Sequence, residues 1–216
     1  MNSDDFNSVS NGRTSFVALH KRSLLSAALI APYLGRFITK SLINMTQLAR
    51  LSRLRWPWLI LSISAFGLVG FALYLQHGLG LEPCVKCIYQ RVAVLTIGVA
   101  GLIPLINPER PVLRSAGYLL WLIGAGWGLI IAHEHYSLQY SANAFFMVCD
   151  TFPNFPSYLP LHEWLPGLFG APGLCGDIDW QFLGWSMPAW MRVIFSLYLV
   201  IGLVVLVSSL WVYRRV

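Results

Sequence analysis

Long apolar stretches without formal charge alternate with short polar breaks through the last three quarters of the chain. Residues 56–81 carry no Asp, Glu, Lys or Arg, and a membrane-spanning helix needs roughly 20 such residues, which predicts a first span at 58–76. A second is predicted at 88–106, where the sole charge is Arg91 near the start. A third, at 112–132, has Arg114 near its start and is followed by His133-Glu134-His135. A fourth, at 193–213, is free of charge and runs into Arg214-Arg215. Asn107-Pro108-Glu109-Arg110-Pro111 makes a tight turn between the middle spans, and the stretch from about 133 to 189 holds six of the twelve prolines, as a long loop would. The pattern predicts an all-α membrane protein, a four-helix transmembrane bundle with two outward loops at about 77–87 and 133–189.

Residues 1–55 break this pattern. Their best apolar run, 23–35, is too short to cross a bilayer and contains Pro32. It has the outline of a signal peptide, with Lys21 and Arg22 ahead of an apolar core, but no small-x-small cleavage site follows and Arg36 intervenes. We read 1–55 as a basic cytoplasmic extension and 56–216 as the membrane domain. A second reading places the translation start at Met45.

Composition agrees with the span count: 56% of the 216 residues are hydrophobic and 11% charged, too apolar for an ordinary soluble domain. The net charge of +6 points to nucleic acid only until its placement is considered. Twelve of the fifteen basic residues lie in the N-terminal segment, the 107–114 turn and the C-terminus. The other side of the bundle has Lys86, Arg91 and Arg192 against Glu82, Glu134, Asp150, Glu163, Asp177 and Asp179. By the positive-inside rule both termini are cytoplasmic, and the basic charge is a topology signal, which excludes nucleic acid as a partner.

That topology puts all four cysteines, Cys84, Cys87, Cys149 and Cys175, on the outer, oxidising side. Cys84 and Cys87 form a Cys-x-x-Cys pair behind Pro83, at the predicted start of the second span, where the helix macrodipole favours thiolate. Arg91 lies one helical turn beyond Cys87 and adds a fixed positive charge on that face. Cys149 and Cys175 would close a loop whose cross-link the chain-entropy model values at roughly 3.5 kcal/mol, so a purely structural staple is one reading of that pair. A four-cysteine zinc site is set aside, because Cys149 and Cys175 lack the close spacing of a zinc knuckle, and no metal is expected. His135 and Glu134, where the third span leaves the membrane, are candidates to bind or exchange protons with a ligand near Arg91; a helix-end histidine facing water is the alternative. The 161–169 stretch, rich in aromatic and aliphatic residues, reads either as a segment lying flat on the membrane surface or as an apolar patch of a folded loop.

Pro83-Cys84-Val85-x-Cys87-Ile88-Tyr89-x-Arg91 resembles the active-site signature of the DsbB family of quinone-dependent protein disulfide oxidoreductases. Glu134-His135, Cys149-Asp150, Leu159-Pro160-Leu161-x-x-Trp164, Cys175 and Trp180-x-Phe182-Leu183-Gly184-x-x-Met187-Pro188-x-Trp190 extend the resemblance over roughly 56–213. Two positions depart from it: Gln90 stands where the family has an acidic residue, and Lys86 is a charged choice inside the cysteine pair. Family members start close to the first span, and counting from Met45 makes Cys84 the fortieth residue, a family-like position.

The resemblance implies a thiol oxidase of the bacterial inner membrane that reoxidises a periplasmic DsbA-like dithiol protein and passes two electrons to ubiquinone or menaquinone. It implies that the partner's thiolate attacks a Cys149–Cys175 disulfide and is held on Cys149. Cys175 then attacks Cys84, and Cys87 is released as a thiolate beneath the quinone, where Arg91, His135 and Glu134 serve the cofactor. An oxidase dedicated to one specialised partner, a vitamin K epoxide reductase-like enzyme, and a non-catalytic scaffold with two structural disulfides are the alternatives. In the vitamin K epoxide reductase type the Cys-x-x-Cys lies late in the bundle, and here it precedes the second span.

Overall fold

The computed structural model describes residues 46–140, 150, 152–176, 178 and 180–213. The reading of residues 1–44, and with it the Met45 start, lies outside the described residues, as does Cys149. Among the described residues there are four long helices: α1, Arg55–Gly78; α2, Val85–Ile106; α3, Pro111–Tyr140; and, after the long loop, α6, Met187–Tyr213. All four are long and apolar enough to cross a membrane. Within the loop lie two single-turn helices, α4, Leu161–Trp164, and α5, Pro166–Phe169, and a two-stranded hairpin, β1, Gln181–Phe182, and β2, Trp185–Ser186, paired antiparallel. Leu183 and Gly184 between the strands both have positive φ (52° and 78°), the backbone of a two-residue turn that follows the strand twist. The chain is an all-α multi-pass membrane bundle.

Three of the long helices start or stop for a local reason. α1 ends where Gly80 takes φ +69°, letting the Leu79 and Leu81 amides both return to the Leu75 carbonyl. Pro83 then keeps the chain extended, and Cys84, with φ −86° and ψ 171°, is the N-cap of α2. Pro111 opens α3, where its missing N–H costs nothing.

The helices pack in the order α1–α2–α3–α6, and the Tyr198 hydroxyl, donating to Ser64 Oγ at 2.8 Å, closes α6 onto α1. The core holds Trp58, Leu61, Ala65, Ala93, Val94, Ile97, Tyr118, Trp121 and Phe195. Lipid tails are as apolar as these side chains, so close packing and interhelical hydrogen bonds hold the bundle, as where Ser62 Oγ donates to the Gly98 carbonyl at 2.9 Å. Large apolar residues such as Ile60, Ile63, Leu197 and Val204 stay exposed, as surfaces facing lipid do.

α3 is longer than the hydropathy pattern predicts. It continues two turns past Ala132, so His133, Glu134 and His135 are helical residues and not loop residues. The added turns carry buried His135 and Leu138 against the cysteine pair, a contact that hydropathy cannot register.

Candidate active site

At one end of the bundle, where α1 stops, α2 begins, α3 stops and α6 begins, lies a cavity of about 270 Å³. Its walls are mostly apolar, from Leu68, Phe71, Met191 and their neighbours, and its polar lining includes Cys84, Cys87, Gln90, Arg91 and His135. The helical period explains the convergence. Cys87, Gln90, Arg91 and Val94 recur at three- and four-residue spacing and so share one face of α2.

Cys84 and Cys87 are free thiols with their sulfurs 3.3 Å apart. His135, 3% exposed, brings Nε2 to 3.6 Å from the Cys84 sulfur, while Gln90 Nε2 lies 3.2 Å from its Nδ1. With the Gln90 amide donating to Nδ1, the ring proton sits on Nε2 and is directed at Cys84. The hydrogen bond from the Cys87 thiol, helped by the His135 ring, outweighs burial and holds the Cys84 thiol down at about 4, against an ordinary 9.0. The resemblance implies a Cys87 thiolate released beneath the quinone; in the dithiol state of this site the acidified sulfur is Cys84. Cys84 is therefore a thiolate above pH about 4 and is neutralised as the pH falls through that value. Ultraviolet titration of the reduced protein is expected to show thiolate absorption with a midpoint near pH 4. The midpoint rises in His135→Ala and rises further in Cys87→Ala, which removes the larger cause; a wild-type midpoint near 9 would refute the assignment.

Arg91 is buried, donating to Gln76 Oε1 at 3.0 Å and to the Leu168 carbonyl at the end of α5. His77 Nε2 and Gln76 Nε2 meet the neighbouring Gly167 carbonyl at 3.0 and 3.3 Å, so three side chains secure α5 beside the cavity. The Arg91 Nε is buried and has no acceptor among the described residues. Trp164 and Leu165 remain exposed beside this anchor, as an apolar segment at a membrane surface would be.

Cys175 is buried and disulfide-bonded, and it forms one small cluster with Cys84 and Leu138, against which Cys87 packs. Two backbone contacts bring it there. The Gly173 amide donates to the Pro83 carbonyl at 3.2 Å, and a Cβ on Gly173 would lie 2.3 Å from the Glu82 carbonyl oxygen. Only glycine allows this approach. Gly173→Ala is expected to push Cys175 away from Cys84 and slow exchange between the two cysteine pairs roughly 10–100-fold, the scale of a misplacement near 1 Å. Rapid-quench trapping of the Cys84–Cys175 cross-link checks this, and an unchanged rate would sink it.

Glu134 is not among the cavity residues. Its carboxylate pairs with Lys86 Nζ at 2.6 Å, tying α3 to the first turn of α2 from outside. Tyr89 accepts a hydrogen bond from the Asn154 amide at 2.7 Å and stacks edge-on against Phe155, which fastens the loop to α2. Sequence reasoning noted Gln90 only as a departure from the family, and it missed Gln76 and Gly173. The one available signal was Gln76, a polar side chain closing a charge-free helix.

Fold and site together define a class: a multi-pass membrane protein with a buried dithiol at a helix start, opening on an apolar cavity. The family model described as "Disulfide bond formation protein DsbB" matches residues 54–205, and the chain belongs to the DsbB family. It is 52% identical over 161 residues to a disulfide bond formation protein B of Idiomarina loihiensis, covering 72% of this chain and 89% of the relative. Proteins of the same name from Psychromonas ingrahamii (47% identical, 80% of this chain and 93% of the relative) and Pseudoalteromonas atlantica (49%, 77% and 96%) are similar to it as well.

Proposed function

We propose that this chain is a quinone-dependent disulfide oxidoreductase of the bacterial inner membrane that reoxidises a periplasmic DsbA-like dithiol protein. The supporting observation is that one apolar cavity is lined by Cys84, Cys87, Arg91 and His135, while Cys175 packs onto Cys84 from the loop. The distribution of basic residues supports cytoplasmic termini and periplasmic cysteines.

On this reading Cys149 is the disulfide partner of Cys175. A thiolate of the reduced donor attacks Cys149 and displaces Cys175, which attacks Cys84 and releases Cys87. The donor's second thiol then resolves the mixed disulfide on Cys149, and the oxidised donor leaves. The freed Cys149 attacks Cys175 and restores the loop disulfide, with Cys84 as the leaving sulfur. Two electrons now reside on the reduced Cys84–Cys87 pair, with Cys84 as thiolate and Cys87 as thiol. The low pKa of Cys84 suits this last exchange, because a more acidic thiol leaves faster.

The cavity residues fit a quinone head group. The walls are apolar, and the buried, unpartnered Arg91 Nε offers a charged donor for a carbonyl oxygen. Ubiquinone or menaquinone, when bound, would supply the two-electron acceptor for the reduced pair. Arg91 and His135 would hold it, and Glu134 aligns α2 and α3 through Lys86. The test is quinone reduction by the purified protein with a reduced DsbA-like donor. Turnover with either quinone class supports the reading; no turnover with both would return weight to a scaffold with structural disulfides.

A further inference from the structure

The same end of the bundle holds a ligand set of a second kind. Cys84 Sγ, Cys87 Sγ and a ring nitrogen of His135 all lie within 4.8 Å of one another. We propose that the reduced site binds one thiophilic divalent cation of the zinc and cadmium class through Cys84, Cys87 and His135. The inference concerns the dithiol itself and stands whether or not electrons pass to a quinone.

Geometry carries it. Tetrahedral zinc with Zn–S near 2.3 Å and Zn–N near 2.05 Å sets an S···N edge of about 3.6 Å and an S···S edge of about 3.8 Å. The Cys84 sulfur is 3.6 Å from His135 Nε2 and 3.3 Å from the Cys87 sulfur. Of the three edges one is in place, a second opens by about half an ångström, and the third, Cys87 to His135, is within 4.8 Å; rotation of the Cys87 side chain, which borders the cavity, adjusts both of the latter. Three protein ligands leave the fourth position to water on the cavity side, the arrangement of an open zinc site.

The second shell is also suited. A metal at Nε2 requires the ring proton on Nδ1 and an acceptor for it. Gln90 faces Nδ1 at 3.2 Å, and turning its amide over offers Oε1 in place of the NH₂ group. A glutamine thus serves the metal-free ring as donor and the metallated ring as acceptor. Charge is compatible too: two thiolates neutralise the dication, so the buried Arg91 faces a neutral cluster, and the Lys86 charge is matched by Glu134. Both sulfurs bind as thiolates, so any thiol proton the pair still holds is released. A Cys84–Cys87 disulfide offers no thiolate, so the cation distinguishes the two redox states and selects the reduced one.

The test is anaerobic titration of the full-length reduced protein with Cd²⁺, following sulfur-to-cadmium charge-transfer absorption, with Zn²⁺ as competitor. One ion per protein is expected. Affinity should drop by more than about 100-fold in Cys87→Ser and in His135→Ala, and by roughly 10-fold in Gln90→Ala, the scale of an outer-shell loss. Cys175→Ser, which breaks the other pair, should keep the tight site, and diamide-oxidised protein should lose it. Cadmium-113 resonance of the ¹⁵N-histidine-labelled wild type reads the histidine ligand without any mutation, through metal–nitrogen coupling. Equal affinity in His135→Ala, absence of that coupling, binding that persists after oxidation, or loss of the site in Cys175→Ser would each overturn the proposal.

Discussion

Cys87→Ala is expected to reduce quinone no faster than a sample without protein, while the reduced donor still accumulates as a mixed disulfide on Cys149. Both sulfurs border the cavity, while Cys84 is the one that belongs to the buried cluster with Cys175 and Leu138. Removing Cys87 leaves the Cys84–Cys175 contact in place. Cys84 alone cannot close a disulfide within its own pair, and electrons arriving through Cys175 stop there. Quinone absorbance reports the first half of the prediction, and non-reducing electrophoresis with the donor reports the second. Retained turnover would remove Cys87 from the electron path, and loss of donor trapping would mean that the substitution had disrupted the loop as well.

The second large effect concerns Arg91. Arg91→Ala is expected to raise the KM for quinone roughly 10–100-fold and to leave the KM for the donor protein within about twofold. The estimate follows from a charge-assisted hydrogen bond worth about 1.5–3 kcal/mol, with each 1.4 kcal/mol a factor of ten. Arg91 also anchors the Leu168 carbonyl, so part of any effect could come from a loosened loop. Gln76→Ala separates the two causes. It removes the acceptor that holds the guanidinium and a donor to Gly167, yet leaves the charge in the cavity, so its quinone KM should rise less. Arg91→Lys keeps the charge but cannot reach Gln76 and Leu168 as a fork, and is expected to fall between the two. An unchanged quinone KM in Arg91→Ala would refute the role.

Gln90 shows how a residue unremarkable in sequence acquires a role in three dimensions. Its neighbours in the chain are Tyr89, turned to the loop, and Arg91, turned to the cavity and the end of α1. Between them, Gln90 faces α3 and meets His135, 45 residues away. Its amide can turn either its NH₂ group or its oxygen to the ring nitrogen, so it serves either imidazole tautomer.

The sequence by itself determined the number of spans, their order and the pairing of two thiols at a helix start. Bilayer thickness demands long apolar runs, a charge inside such a run is costly, and Cys-x-x-Cys places two thiols one turn apart wherever the helix goes. Local chemistry also marked where α2 begins, because Pro83 and the cysteine pair act on their own backbone. Tertiary structure alone decided the rest. The two final turns of α3 exist to bury His135 and Leu138 on the cysteines, and hydropathy does not record a polar residue buried by a neighbour. Glu134 and His135 are adjacent in the chain, yet a helix turns about 100° per residue, so one pairs with Lys86 outside while the other enters the cavity. Which sulfur is acidic depended on a 3.3 Å and a 3.6 Å contact, and where Cys175 rests depended on one glycine against the Glu82 carbonyl. Those are distances between segments far apart in sequence, and they come into being only when the helices pack.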